Sequence, residues 1–252
     1  EREQPDVIGI TATTPLANQM RDISFLVKDR FPGITTIGGG AHPTAMPAET
    51  MRESALDLIA NGEADWLRYL GRDPEARAAA HREITNPSYF AGGAGYVLAI
   101  SHDDAGEQSL WRRLWGDEAQ REAGLRALLA LQWAHPGKQS LFMGCEFAQR
   151  DAWSHHGALD WELLEADDGV AGRTLALVGE LGAQYRARPA LWSVDDNELG
   201  TRWIAADDAA RSVYAFARVG AGGELLVCAA NLSGEERPGY RLEHELLAGR
   251  DW

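Results

Sequence analysis

The chain has 252 residues, with 24 Lys and Arg against 38 Asp and Glu and a formal net charge of −14. Such a balance repels phosphate backbones and anionic lipid surfaces, so no nucleic acid and no membrane is expected among its partners. The 45% hydrophobic share is enough for a packed core, and the length fits one large domain or two smaller ones.

No run approaches the ~18 apolar residues of a membrane span, and no signal peptide opens the chain. Cys145 and Cys228 fit neither a metal-ligand spacing nor a disulfide framework and read as buried free thiols of a reducing, cytoplasmic setting. The chain opens Glu1-Arg2-Glu3-Gln4-Pro5-Asp6 without Met and is expected to be an excerpt of something longer.

In chain order, Val7–Thr11 is a short β-branched strand. Pro15 and Leu16 open a helix whose apolar positions Met20, Ile23, Leu26 and Val27 fall near a 3.6-residue period, and Phe31-Pro32-Gly33 stops it. Thr35–Ile37 is a second strand running into Gly38-Gly39-Gly40. Pro47 starts a helix over Ala48–Glu53. Leu56–Ala60 is a third strand, ending at Asn61-Gly62-Glu63. Strands alternating with helices imply parallel pairing through right-handed crossovers.

From Trp66 the texture changes. All nine tryptophans lie at or after this residue, which suggests a seam. Helices are expected over Trp66–Leu70, Asp73–Ile84, Asp117–Ala134 and Thr174–Tyr185, the last with Leu175, Leu177, Val178 and Leu181 as apolar positions. Gly92-Gly93-Ala94-Gly95 breaks the chain before a strand at Tyr96–Ile100, and His135-Pro136-Gly137 precedes another at Ser140–Met143. After Leu191 the pattern is β, with runs at Arg202–Ile204, Ser212–Ala217 and Glu224–Ala230. The glycines of Gly220–Gly223 form a loop and not a phosphate cradle, because no helix follows them.

Two segments resemble known families. Pro5–Ile10, Thr13-Thr14, Gly38–Thr44 and Gly62-Glu63 look like the cobalamin-binding domain of radical-SAM enzymes. Glycines after a strand let backbone approach a ligand, and open α/β sheets bind beyond the carboxyl ends of their strands. The resemblance therefore implies cobalamin at Thr13, Thr14, Gly39, Gly40, His42 and Glu63. It also implies two further strands before Pro5. The cysteine triplet of that family is absent, so no radical chemistry is assigned.

The rest resembles glycogen (1,4-α-glucan) branching enzymes of the α-amylase superfamily. The matching text is Leu67–Leu70, Arg72-Asp73-Pro74, Ser101-His102-Asp103, Leu125–Gln149, Trp153, Leu159-Asp160-Trp161, Tyr185-Arg186, Pro189-Ala190-Leu191, Ser212–Arg218 and Asn231. By this resemblance Tyr96–Ile100 and Ser140–Met143 are the seventh and eighth strands of a (βα)8 catalytic barrel. The ligand is an α-glucan and the reaction is transglycosylation forming α-1,6 branches, with no cofactor and no metal. Asp103 would stabilise the oxocarbenium-like transition state and His102 would hydrogen-bond a sugar hydroxyl.

The chain departs from that family pattern in two places. The family carries Glu where this chain has Asp104, and the loop after it is shortened. The nucleophile and general acid of retaining transfer come from the fourth and fifth barrel strands, and nothing here corresponds to them. Asp6 and Glu63 belong to the other resemblance, and Asp160 sits in a structural Leu-Asp-Trp motif. No measurable branching is therefore expected from this chain alone.

The expected fold class is α/β: parallel βα units, part flavodoxin-like sheet and part barrel end, followed by an incomplete all-β C-terminal domain. The expected segments are 1–65, 66–190 and 191–252. A sheet of about five parallel strands would join the two halves and leave an exposed edge and uncovered apolar face. The alternatives are a cobalamin-binding module with an inert tail and a chimera without evolved function.

Overall fold

The computed structural model describes residues 5–62, 64–85, 95–165, 169–195 and 198–249. Five strands, β1 (Val7–Thr11), β2 (Thr35–Gly39), β3 (Leu58–Gly62), β4 (Gly95–Ile100) and β5 (Lys138–Leu141), form one sheet in the order β1-β2-β3-β4-β5. Every pairing is parallel. The β3–β4 ladder runs from Leu58 opposite Gly95 to Gly62 opposite Ala99, so a single sheet crosses the change of texture near Trp66.

Helices α1 (Ala17–Arg30), α2 (Ala41–Ala45) and α3 (Pro47–Glu53) connect the first three strands. Then come α4 (Ala64–Leu70), a 3₁₀ segment at Pro74–Ala80 and α5 (Arg82–Thr85), with α6 (His102–Ala105), α7 (Leu110–Arg113) and α8 (Glu118–Ala134) between β4 and β5. Helix α9 (Val170–Ala187) leads to an antiparallel sheet of β6 (Thr201–Asp208), β7 (Val213–Val219) and β8 (Leu225–Asn231). The Gly220–Gly223 loop is the β7–β8 hairpin turn, closed by the Gly220 amide donating to the Glu224 carbonyl over 2.8 Å.

Sequential order with right-handed crossovers places all helices on one side of a sheet. That is the side where Met20 of α1 and Met51 of α3 pack against Ile10, Ile59 and Leu98, and where Leu125, Leu128 and Leu129 of α8 pack with Ile100. On the other face Ile37, Leu58 and Val97 are partly exposed and Val7 is 50% exposed. Among the described residues β1 and β5 are each paired on one side only, and this face is partly exposed rather than uncovered.

Several elements differ from the periodicity. In α1 only Met20 and Ser24 are buried, whereas Ile23 and Leu26 stay half exposed. This helix covers the outermost pair of strands, so its flanks have nothing to pack on. The Asp73–Ile84 segment is a 3₁₀ stretch plus a short helix, held by the buried Arg77 side chain. The last strand of the parallel sheet is shifted to Lys138–Leu141 because Gly137, at φ 124°, starts it earlier: a Cβ there would lie 2.9 Å from Leu98 Cγ. Helix α8 begins as expected, with a reciprocal capping box between Asp117 and Gln120. The break at Gly92-Gly93-Ala94 lies outside the described residues.

The two sheets are joined by buried polar groups. Arg218 of β7 is fully buried and donates to the carbonyls of Ala134 (2.9 Å) and Leu191 (3.1 Å), and it pairs with Asp195, which also binds Lys138 Nζ at 2.7 Å. Arg77 donates to the Leu232 carbonyl over 2.6 Å, and the hydroxyls of Tyr214 and Tyr69 are 3.0 Å apart. His135 sits in the same interface, edge-on to Trp66 at 4.8 Å and to Phe216 at 5.8 Å.

Burial, together with the nearby Arg218 guanidinium, pushes the His135 imidazole down from 6.5 to about 3. The unfolded chain therefore binds a proton at His135 that the native state refuses, and stability contributed by the neutral ring is lost as pH falls from 6.5 toward 3. The slope from this one residue reaches ~1.4 kcal/mol per pH unit. Urea denaturation of wild type and His135→Gln between pH 7 and pH 4 should show a steeper decline for wild type; parallel declines would contradict this assignment.

Candidate functional site

The carboxyl ends of β1, β2 and β4 bring every described candidate residue to one edge of the parallel sheet. They form two groups. Thr13 and Thr14 follow β1, Gly39 ends β2 and Gly40 and His42 follow it, whereas His102 and Asp103 follow β4. The β2 and β4 strands are separated by β3, hence by ~10 Å at ordinary strand spacing. Glu63 lies outside the described residues.

In the first group, the Ala12 amide donates to the Gly39 carbonyl over 3.0 Å, and the His42 amide donates to the Ala12 carbonyl over 3.1 Å. These bonds lock the segment after β1 onto the turn after β2. Gly40 has φ 96°, and a Cβ on it would lie 2.6 Å from Thr11 Oγ1 and 2.8 Å from the Ala12 carbonyl, so this turn requires glycine. His42 lies in the short helix α2 and not in a loop, and its Nδ1 is buried without a hydrogen-bond partner among the described residues. Thr14 opens a 3₁₀ turn at Thr14–Leu16. Bare backbone beside an unsatisfied imidazole nitrogen fits a ligand such as cobalamin.

In the second group, β4 ends at Ile100 and His102 opens α6, so Ser-His-Asp is the turn after the strand and not its last residues. Asp104 holds this turn. Its carboxylate is buried and accepts from the Ser101 amide over 2.9 Å and from the Ser101 hydroxyl over 3.3 Å. The Arg113 guanidinium donates to the Asp104 carbonyl oxygen over 2.8 Å, and the Trp153 amide donates to the Ala105 carbonyl over 3.0 Å. The backbone of Asp103 lies within α6; its side chain is outside what is described.

The exposed His102 ring lies 6.1 Å from that of Phe142, which meets Trp153 edge-on at 5.1 Å. Beside them is a cavity of about 660 Å³ lined by His102, Phe142, Met143, Glu146 and Trp133. Neither Phe142 nor Met143 stood out as a site residue from sequence. The available signal was their position immediately beyond β5, where a parallel sheet places its ligand-facing loops.

Burial pushes the thiols of Cys145 and Cys228 up to about 12 and about 11, so both stay protonated at neutral pH and neither is a nucleophile. No group of His, Cys, Asp and Glu among the described residues is arranged to hold a metal ion. No helix among them is long and apolar enough to cross a membrane.

This architecture, a parallel βα sheet followed by a small antiparallel sheet, is that of amylase and pullulanase structures. A pullulanase from Paenibacillus barengoltzii solved with maltotetraose matches with TM-score 0.61 at 16% identity, over 93% of this chain and 43% of its own. Amy13B from Eubacterium rectale matches with TM-score 0.62 at 15% identity, over 90% and 51%.

In sequence, the chain is similar to 1,4-alpha-glucan branching enzymes, GlgB. The enzyme of Mycobacterium tuberculosis is 40% identical over 244 residues, that of Mycobacterium bovis (strain BCG / Pasteur 1173P2) 45% over 246, and that of Nocardia farcinica 38% over 250. These alignments take in 94–96% of the chain but only 33% of each relative, so the chain spans about a third of their length. The family model described as B12 binding domain matches residues 1–66. Alignments as broad as those to GlgB run into this segment, which therefore carries both likenesses.

Replacing Asp104 with Ala removes the carboxylate acceptor from the partly buried Ser101 amide. The expected cost is ~1–2 kcal/mol in urea denaturation, with faster amide exchange at Ser101. Unchanged exchange at Ser101 would show that the turn is held by other means.

Proposed function

We propose that this chain is the closing part of the catalytic barrel and the start of the C-terminal β domain of an α-1,4-glucan branching enzyme. Residues 66–190 supply the barrel end, residues 191–252 the β domain, and residues 1–65 the preceding parallel unit. The observation that carries the reading is 36–45% identity to GlgB proteins over nearly the whole chain. The placement of His102 beside an aromatic-lined cavity at the carboxyl edge of the sheet supports it.

In this reading His102 donates to a sugar hydroxyl, and Asp103 contributes negative charge to the distorted, oxocarbenium-like sugar. Phe142 and Trp153 offer apolar ring faces and edges to the C–H face of the glucan. Asp104 touches no substrate: it fixes the turn on which the other two residues stand. Breaking the glycosidic bond additionally needs a carboxylate nucleophile and a carboxylic acid, and no motif of this chain matches either. The chain thus binds α-glucan without remodelling it.

Incubation with amylose followed by debranching should yield no new α-1,6 branches, while amylose affinity chromatography should retard the chain. His102→Ala should weaken that retention about tenfold, the loss of roughly one charge-neutral hydrogen bond plus contact area. New branches would refute the division of labour, and absence of retention in the wild type would refute the glucan reading.

A second reading is favoured by the B12-binding match at residues 1–66 together with the Gly40 turn and the unsatisfied His42 nitrogen. Cobalamin would be met by Thr13, Gly39, Gly40 and His42, and when bound it would supply a cobalt centre able to accept an imidazole nitrogen. Addition of hydroxocobalamin should then shift its visible absorbance in a saturable way, and His42→Ala should abolish the shift. An unchanged spectrum at protein excess would dismiss this reading.

A further inference from the structure

The geometry points to a separate binding site for a small dianion, of the phosphate monoester class, in a pocket between the end of α4 and α7. The pocket has a volume of about 400 Å³ and is lined by Arg68, Arg72, Arg112 and Arg113, with Gly71 and Gln108. Four arginines thus line one concavity in a chain whose net charge is −14. Among the described residues no acidic side chain lines it. The site is independent of the glucan reading.

The acidic partners of these arginines stand outside the lining. Arg72 gives Nε and Nη2 to Glu83, at 3.2 and 2.6 Å. Arg112 gives Nε to the Arg150 carbonyl and Nη2 to Asp151, at 2.8 and 2.6 Å. Arg68 pairs with Asp65, and its Nε lies 3.7 Å from Glu83 Oε1. Arg113 gives Nη1 to the Asp104 carbonyl oxygen, with the Asp104 carboxylate 3.9 Å away. A guanidinium carries five N–H donors. Nη1 of Arg72, Nη1 of Arg112 and Nη2 of Arg113 therefore have no partner among the described residues.

Like charges gathered at one pocket repel, and ion pairs at the surface offset this only weakly. The side chains of Arg68, Arg72 and Arg112 are 53%, 40% and 58% exposed, so their present pairs are of that weak kind and can rearrange around a ligand. A phosphate dianion would satisfy the remaining planar donors two at a time, which arginine does better than lysine. The volume suits a phosphate carrying a small organic group. The overall negative charge turns away long polyanions, which selects a small ligand over nucleic acid.

Gly71 lets the two walls meet. Its amide donates to the Leu67 carbonyl over 2.9 Å, and a Cβ on it would lie 2.7 Å from the Arg113 carbonyl. Arg113 also connects the pocket to the candidate site, because Asp104 is the residue that holds the Ser101 amide. An anion taking Nη2 of Arg113 shifts the guanidinium whose Nη1 holds the Asp104 carbonyl, and so perturbs the turn bearing His102.

The test is titration of the full chain at low ionic strength with inorganic phosphate, a hexose monophosphate and the unphosphorylated hexose, followed by calorimetry and by amide shifts. Saturable binding of both phosphates in the millimolar range or tighter is expected, with none for the hexose and with Ser101 and Asp104 amides moving at the same midpoint. Arg72→Gln and Arg112→Gln, made separately and checked for native melting, should each weaken binding about tenfold, while Arg202→Gln should leave it unchanged. Absence of saturable phosphate binding, or equal binding by the two pocket variants and wild type, would overturn the site. Binding without movement at Ser101 and Asp104 would overturn its link to the turn.

Discussion

The constraint on which this structure depends is the sequential order of five parallel strands. Each crossover in such a sheet is right-handed, so consecutive neighbours send all their helices to the same face. That face supplies the core, from Met20 and Met51 over the first strands to the leucines of α8 over Ile100. It leaves the opposite face only partly covered and both outer strands open. It also sends every loop that follows a strand to one edge, and the cobalamin-type and glucan-type candidate residues share that edge for this reason alone.

The second organising element is the set of buried polar groups between the parallel sheet and the antiparallel one. A fully buried arginine such as Arg218 is tolerable only because carbonyls of Ala134, Leu191 and Gly200 and the Asp195 carboxylate all receive its donors. The tyrosine pair, Arg77 and His135 extend the same interface. Polar bonds with fixed directions set the orientation of one sheet on the other, where apolar packing alone would allow sliding. The end of α8 and the start of β5 are fixed by the same contacts, and with them the loop that carries Phe142.

Much of this was legible in the residues. Short apolar runs marked β1, β4 and the three antiparallel strands, and the helix expected over Asp117–Ala134 is α8, with Asp117 as its N-cap. The Ser-His-Asp and Gly-rich motifs correctly pointed to strand ends. Helix α1 was legible as a helix but not in its exposure, because a period says which residues share a stripe and not whether anything lies opposite. The roles of Asp104 and Arg113 were illegible for a similar reason: a departure from a family pattern looks like loss, and only the bonds to Ser101 show that it is the support of the turn.

By itself the sequence determined the α/β class and the families that the chain resembles, and it singled out His102 and Asp103 as the candidates proposed for a glucan. These come from local pattern and from residue chemistry, which need no knowledge of what packs against what. The tertiary structure settled the strand order β1-β2-β3-β4-β5 of the sheet that the sequence had led us to expect, and with it that the described candidate residues line a single edge. It alone brought four arginines from separate segments to one pocket. Such juxtapositions arise from strand order and crossover hand, which bring together residues tens of positions apart and leave no periodic mark in the chain.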